Sequence, residues 1–279
     1  MAEGAAAAPD EQALIEIALR PFRVLEALGL PSQYERSFKL QPGELLAQRY
    51  MLGVRADQAS PAQWLDVAQG LGMPEALRFD FASALDGAQS ALFGFEGAER
   101  GAVLKAYAEY RGPAELARSG APTEPVATEP VVLFRGFKWR ADCPDPGVQT
   151  IYRCRPGLPV DAVQACIARL LAASSATPVR TAVGAILERA LQARPGFEPQ
   201  WLELGESGQP VRAFDLNLYA SGLRVDAIGP ELLQLAAAFN IDRQLMPRLL
   251  DAAGAGLLGH LSAGLSRDQG SYLTIYFEP

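Results

Sequence analysis

The stretch QYERSFKLQPGELLAQRYML, residues 33–52, sets the architecture of the chain. Apolar and polar residues alternate on both sides of QPGE, which is typical of two short strands joined by a turn. Glu35 lies on the first strand and Arg49 on the second. Because side chains alternate between the two faces of a strand, such a hairpin can direct both charges to one side of a sheet.

Four further pairs of alternating segments follow, each joined by a turn rich in Gly, Pro, Asp or Ser. They are ALFGFE with AVLKAYAEY, VVLFRGFKWRA with VQTIYRCR, QWLELGE with VRAFDLNLY, and LGHLSAGL with SYLTIYFE. Segments with helical periodicity separate the pairs, at residues 10–29, 60–73, 158–173, 179–193, 229–240 and 242–254. The economical arrangement of ten antiparallel strands and these helices is a closed barrel with the helices outside, an α+β fold.

Composition excludes several classes of protein. The 279 residues are 49% hydrophobic and 20% charged, as in a globular protein with a sizeable core. A net charge of −7 argues against binding to nucleic acid or to an anionic membrane. No apolar run approaches the roughly 18 residues of a membrane span. Residues 1–9 have no secretory signal pattern and are predicted to be a disordered tail before a single domain, residues 10–279.

The cysteines and the histidine limit the chemistry further. Three cysteines without CxxC spacing indicate a reduced, cytoplasmic protein without a structural zinc. With a single histidine, His260, a His-rich metal site is impossible and a Ser–His–Asp triad would have to use that residue. His260 is predicted to be a strand residue with a local hydrogen-bond partner. Any catalysis would therefore depend on Glu, Arg, Lys and Tyr.

Period two predicts which strand residues point into such a barrel. In LKAYAEY, Leu104 and Ala106 suit an outer face packed by helices, so the residues between them face the lumen. The residues predicted to be lumenal are Lys105, Tyr107, Glu109, Tyr152, Trp201, Glu203, Asp215, Asn217, Tyr219, Thr274 and Tyr276. Because ten strands make a barrel too wide for side chains to fill, the lumen is predicted to be a polar, tyrosine-rich cavity.

Four tyrosines fall near the middle of second strands: Tyr107, Tyr152, Tyr219 and Tyr276. One interpretation is the general preference of tyrosine for strands. The other is a ring of electron-rich faces around a cation. Together with Arg49 and Lys105, which can hold an anion, that ring suits a substrate that splits into an allylic cation and pyrophosphate.

These features resemble the ABBA prenyltransferases, whose barrel is built from five αββα repeats around a lumenal active site, and above all the branch that prenylates cyanobactin-type (RiPP) peptides. The opening hairpin is similar to that branch at Glu35, Lys39, Leu45, Ala47 and Arg49. LKAYAEY resembles the pyrophosphate-binding strand of the second repeat, QPVRAFDLNLY the second strand of the fourth, and LLGHLSAGLSRDQGSYLTIYF the last hairpin. The likeness extends from about residue 10 to the end and is weakest in the charged residues of the third repeat.

The resemblance implies that a dimethylallyl group passes from dimethylallyl pyrophosphate, through an allylic cation, to a side chain of a (cyclic) ribosomal peptide. Glu35 would deprotonate or orient the acceptor. The implied pyrophosphate ligands are Arg49, Lys105, Lys138 and Arg153. The implied cation-shielding residues are Tyr107, Tyr152, Tyr219, Tyr276 and Trp201. The acceptor side would contain Glu109, Trp139, Glu203, Asp215, Asn217 and His260.

Further expectations concern the donor and the metal. Bulk at Trp201 and Leu202 favours the dimethylallyl donor over longer ones. Magnesium is expected to screen the pyrophosphate, without metal ligands from the protein and without an organic cofactor. The protein is expected to act as a monomer.

Three alternatives stay open at the level of sequence. Glu35 could simply form a salt bridge with Arg49 or Lys39. The acceptor could be a free amino acid or a small aromatic molecule rather than a peptide. The barrel could also be non-catalytic and bind a peptide or a phosphorylated ligand.

Overall fold

The structure is a computed structural model that describes residues 11–98, 101–112, 129–141, 147–206, 209–266 and 270–279. The predicted tail, residues 1–9, lies outside the described residues. Among the described residues, no helix combines the length and the apolarity needed to cross a bilayer.

Ten strands form a closed antiparallel barrel, as the alternating segments predict. Their bounds are β1 Gln33–Gln41, β2 Glu44–Arg55, β3 Ser90–Ala98, β4 Gly101–Glu109, β5 Val131–Arg140, β6 Val148–Arg155, β7 Gln200–Gly205, β8 Ala213–Asn217, β9 Leu257–Leu265 and β10 Ser271–Glu278. Their order around the barrel is β1-β10-β9-β8-β7-β6-β5-β4-β3-β2. Each strand pairs with its neighbours in sequence, and β10 returns to β1, so the barrel has no free edge.

Helices accompany the hairpins. Within the described residues the α-helices are α1 Glu11–Ala27, α2 Pro61–Gly70, α3 Glu75–Ala84, α4 Val160–Leu170, α5 Thr177–Ala193, α6 Gly229–Ala238 and α7 Leu245–Ala253. Helix α2 begins at the start of the predicted segment 60–73, where Ser60 is the N-cap, Pro61 is the first helical residue, and Ser60 and Gln63 form a reciprocal capping box. Helix α3 is not among the predicted helices, although its buried residues Leu77, Phe81 and Ala84 are spaced four and three apart.

The chain divides into two compact units. The first contains α1 to α3, β3, β4 and most of β2 and β5. The second contains most of β1 and β6, all of β7 to β10, and α4 to α7.

One face of the strands carries the hydrophobic core in each unit. In the first unit, residues such as Leu52, Phe93 and Leu104 pack with helix residues such as Trp64 and Phe81. In the second unit, the strand residues of the core include Phe38, Leu216, Leu261 and Ile275, packed with residues of α4 to α7. Since the helices cover this face, the residues of opposite parity form the inner face of the barrel.

Candidate functional site

Two clusters of polar side chains occupy the inner face, one in each compact unit. The first, here called the cation cluster, consists of Arg49, Glu96, Lys105 and Lys138. Arg49 lies directly opposite Glu96 on the neighbouring strand, and Lys105 lies directly opposite Lys138. These positions confirm the predicted shared parity of Arg49 in β2 and Lys105 in β4.

A single carboxylate oxygen joins two of these cations. Arg49 Nη1 donates to Glu96 Oε2 at 2.5 Å, and Lys105 Nζ donates to the same oxygen. The Arg49 side chain is only 4% exposed and that of Lys105 only 9% exposed. Two cationic groups are therefore held close together and away from water.

Burial and neighbouring charge act on Lys105 in the same direction. Withdrawal from water, with repulsion from Arg49 and Lys138, lowers the pKa of Lys105 to about 7, although Glu96 opposes the shift. An added anion would favour the protonated amine. The cation cluster is thus electrostatically suited to a strongly charged anion such as pyrophosphate.

Small residues in the ladder make room for the long side chains of this cluster. Lys105 faces Gly94 on one side of β4, and Gly94 in turn faces Met51. A Cβ atom at Gly94 would lie 3.1 Å from the Met51 sulfur. Tyr107, two residues beyond Lys105, lies opposite Gly136 and is buried on the same face.

The second cluster, here called the acid–histidine cluster, consists of Glu35, Asp215, Tyr219 and His260. Tyr219 Oη donates to Glu35 Oε1 at 2.9 Å, and His260 Nδ1 lies 2.6 Å from Asp215 Oδ1. The His260 ring packs edge-on to Tyr219, with 5.6 Å between ring centroids. His260 is thus a strand residue, as predicted, and its hydrogen-bond partner Asp215 lies 45 positions away in the chain, on the neighbouring strand.

Glu35 has the chemistry of a proton acceptor. Withdrawal from water raises the pKa of Glu35, while His260 and the hydrogen bond from Tyr219 lower it in part, and Asp215 and Glu278 raise it further. A carboxylate with a raised pKa is a stronger base than an ordinary glutamate. In place of the alternative salt bridge to Arg49 or Lys39, Glu35 accepts a hydrogen bond from Tyr219.

Tyr219 reaches this cluster from outside the strand in which it is predicted. Strand β8 ends at Asn217, and Tyr219 begins a short 3-10 helix, Tyr219–Ser221. Its ring lies over Gly259, where a Cβ atom would be only 2.5 Å from the tyrosine Cζ. The pairing of β9 with β10 shifts register at this glycine, since Tyr276 faces His260 and Phe277 faces Leu258. The β-bulge and the absence of a side chain at Gly259 together leave space for the Tyr219 ring.

The pairing of the strands shows where the other residues predicted on the inner face lie. Tyr276 lies opposite His260 and Ser37, and Tyr152 lies opposite Leu204. Asn217 lies opposite His260, and its Oδ1 accepts a hydrogen bond from the Tyr219 backbone N–H at 3.2 Å. Other residues on this face are the half-buried Glu109 and the buried Thr274.

The predicted lumenal orientation of Trp201 and Glu203 is wrong. Trp201 lies opposite Leu216, and Glu203 lies opposite Phe214, so both point to the helix-covered face. Trp201 is fully buried in the core and stacks on Phe214 with 4.6 Å between ring centroids. Burial of the indole sets the parity of β7, and Glu203 instead pairs with Arg155 at 3.0 Å. Of Trp201 and Leu202, the two residues whose bulk was expected to favour the dimethylallyl donor, only Leu202 faces inward, opposite Asp215.

Trp139 and Arg153 also point away from the inner face. Trp139 lies opposite Leu104 and belongs to the core of the first unit. Arg153 lies opposite Glu203 on the helix-covered face of β6. Neither residue is positioned for the acceptor or pyrophosphate role that the resemblance implied.

Glu96 is the member of the cation cluster that the sequence analysis did not predict. The segment ALFGFE contains the signal, because Phe93 and Phe95 alternate with Leu92, Gly94 and Glu96. If the two aromatic residues face the helices, Glu96 must share a face with Arg49 and Lys105. This inference needs the register between β2, β3 and β4, which the sequence alone does not determine.

Comparisons with known proteins identify the fold. No family model matches the chain, and no curated protein sequence matches it. Among solved structures, a 6-dimethylallyl tryptophan synthase aligns over 98% of this chain and 97% of its own, with a TM-score of 0.53 and 14% identity.

Two further structures are complexes. The 6-dimethylallyltryptophan synthase from Micromonospora olivasterospora, in complex with DMASPP and Trp, aligns over 88% of this chain and 81% of its own, with a TM-score of 0.52 and 16% identity. NotF, in complex with brevianamide F and DMSPP, aligns over 88% and 79%, with a TM-score of 0.52 and 14% identity. At such identities the likeness concerns architecture: this chain has the barrel fold of the ABBA prenyltransferases.

Proposed function

We propose that the protein is a prenyltransferase that transfers a dimethylallyl group from dimethylallyl pyrophosphate to an electron-rich side chain of a peptide. The observation that carries this proposal is the cation cluster, in which Arg49 and Lys105 are buried on the inner face of a barrel of prenyltransferase type. Buried cations are costly to maintain, and a pyrophosphate ligand gives them a function.

The cation cluster is assigned to donor activation. Arg49 suits two-point contact with phosphate oxygens, and Lys105 and Lys138 supply point charges. As the bond between the allylic carbon and oxygen breaks, negative charge develops on pyrophosphate, and fixed cations stabilise that charge. Tyr107, on the same face as Lys105, would present its ring to the allylic cation and exclude water from it.

The acid–histidine cluster is assigned to the acceptor. Attack on the allylic cation leaves the acceptor with a surplus proton, and Glu35 is the group proposed to take it. Tyr219 fixes the Glu35 carboxylate, and Asp215 fixes the His260 ring. Other residues are proposed to shield the cation or to contact the acceptor in this reaction: Tyr152, Tyr276, Asn217 and Glu109.

Magnesium, when bound, would screen the pyrophosphate charge. Within the part of the chain that the structure describes, no three His, Cys, Asp or Glu side chains gather in a way that could hold a metal ion. The donor phosphates are the proposed ligands of the ion. No residue of the chain is assigned to magnesium.

The proposed acceptor is a peptide. Its support is the similarity of the opening hairpin, from Glu35 to Arg49, to that of the cyanobactin-type branch. The alternative acceptor is a free amino acid or a small aromatic molecule, and one structure of the same fold was solved with Trp. A cyclic peptide that contains Trp and Tyr, the matching linear peptide, and free tryptophan distinguish these acceptors.

The test is incubation with dimethylallyl pyrophosphate and magnesium in the presence of each acceptor. We expect pyrophosphate release together with a mass increase of one dimethylallyl group on the peptide. If only free tryptophan is modified, the acceptor is the amino acid and not the peptide. Binding of a peptide or a phosphorylated ligand without any turnover would instead indicate a non-catalytic barrel.

A further inference from the structure

Glu96 lies at the centre of the cation cluster, where an anionic ligand would also have to bind. Its Oε2 atom accepts hydrogen bonds from both Arg49 Nη1 and Lys105 Nζ. The Glu96 side chain is 16% exposed, more than either of its cationic partners. Of the three side chains, that of Glu96 is thus the most exposed.

A carboxylate and a phosphate oxygen compete for the same donors. Both accept charge-assisted hydrogen bonds from guanidinium and ammonium groups. A phosphate oxygen that accepted from Arg49 and Lys105 together would lie next to the Glu96 carboxylate, and two like charges at that distance repel strongly in a water-poor site. Glu96 and a pyrophosphate oxygen are therefore alternative occupants of one position.

We propose that Glu96 is an internal counter-ion that holds the pyrophosphate position in the free protein and is displaced when the donor binds. This inference rests on the proposed function and specifies how its donor site is regulated. In the free protein Glu96 keeps two cations together that would otherwise repel each other. On donor binding the pyrophosphate replaces the carboxylate, so part of the binding energy is consumed by the displacement.

The inference predicts an unusual pair of effects for Glu96→Gln. Removal of the carboxylate charge should lower the melting temperature of the free protein, since Arg49 and Lys105 lose a shared counter-ion. The same substitution should tighten the binding of inorganic pyrophosphate by about tenfold or more, because the charge of Glu96 no longer has to be displaced. A residue that merely oriented the two cations for the ligand would give weaker binding instead.

The experiment measures inorganic pyrophosphate binding by isothermal titration calorimetry in the presence of EDTA, with the melting temperature measured in parallel. Glu231→Gln is the matched control, because Glu231 is also a mostly buried carboxylate paired with an arginine, Arg189, at 2.7 Å. This control should leave pyrophosphate affinity unchanged. Glu96→Ala is a second variant in case Glu96→Gln does not fold, since it also removes the carboxylate charge from between Arg49 and Lys105. It should also bind pyrophosphate more tightly than the parent.

Each outcome has a defined meaning. Tighter binding in a Glu96 variant supports the inference. Unchanged or weaker binding overturns it. If the parent binds pyrophosphate and the variants do not bind it more tightly, the proposed function stands without this inference. If the parent and both variants fail to bind pyrophosphate, both fail.

Discussion

Among single residues, Arg49 matters most to the proposed donor site. Its guanidinium is buried and pairs with a carboxylate on the neighbouring strand. Lysine would keep the charge but lose the planar, two-point contact with phosphate. We predict that Arg49→Lys weakens pyrophosphate binding by about tenfold, which corresponds to about 1.4 kcal/mol.

Calorimetry with inorganic pyrophosphate, together with circular dichroism, checks this prediction. The variant should keep the spectrum and the cooperative melting of the parent protein. Loss of the fold, or unchanged pyrophosphate affinity, would show that Arg49 is structural and not a phosphate ligand.

The raised pKa of Glu35 predicts how the stability of the protein depends on pH. Burial raises its pKa in the folded protein, so the folded state binds this proton more tightly than the unfolded state does. The contribution of Glu35 to stability is therefore complete below the unfolded pKa, about 4.3, and is lost as pH rises through the raised folded pKa. Glu35→Gln stays neutral, so the variant should melt at a higher temperature than the parent at pH 8.

Thermal melting at a series of pH values measures this difference. It should shrink as pH falls and disappear near pH 4. The same substitution should remove the rise of transferase activity with pH that deprotonation of Glu35 produces. A variant that is less stable than the parent at pH 8 would contradict the raised pKa.

Among the elements, strand β9 determines the position of Tyr219 through Gly259. An added methyl group would come within 2.5 Å of the tyrosine ring. We predict that Gly259→Ala displaces the ring, breaks the hydrogen bond to Glu35 and lowers stability by about 1–3 kcal/mol. Transferase activity should fall more than pyrophosphate affinity, since the cation cluster is left intact.

Gly184 supplies the matched control. It lies inside α5, and a methyl group added to it would have no heavy atom within 4 Å outside its own helix. Gly184→Ala should leave activity unchanged and stabilise the protein by up to about 1 kcal/mol, because alanine favours the helix. Chemical denaturation of both variants gives the two free energies of unfolding. If Gly259→Ala leaves both stability and transferase activity unchanged, Gly259 does not determine the position of the Tyr219 ring.

Elements also show what the sequence could and could not predict. The alternating runs predicted every hairpin, because each strand needs one apolar face toward the helices. In β7 the same reasoning placed Trp201 inward, since Glu203 has its parity and looked lumenal. The core instead buries the large indole and leaves Glu203 to pair with Arg155. Polarity alone cannot decide the orientation of a strand when a large aromatic and a charged residue share one face.

For the molecule as a whole, closure of the barrel is what gives the strands an inner face. The sequence predicted closure from the number of hairpins, and the pairing of β1 with β10 confirms it. The pairing of Glu96 with Arg49 and the approach of Tyr219 to Glu35 join residues 47 and 184 positions apart. Such contacts depend on register and on a bulge, which local patterns do not specify. The monomeric state and the cytoplasmic location stay predictions.

A transferase bonds the dimethylallyl group of the donor to the acceptor, whereas a barrel that only binds the donor leaves that group attached to pyrophosphate. Deuterium-labelled dimethylallyl pyrophosphate follows that group when it is incubated with a Trp- and Tyr-containing cyclic peptide, with labelled peptide and free pyrophosphate counted in the same reaction. We predict one labelled group on the peptide for each pyrophosphate released. Label found only in dimethylallyl alcohol, or no release of pyrophosphate with any acceptor, would contradict the proposed transferase.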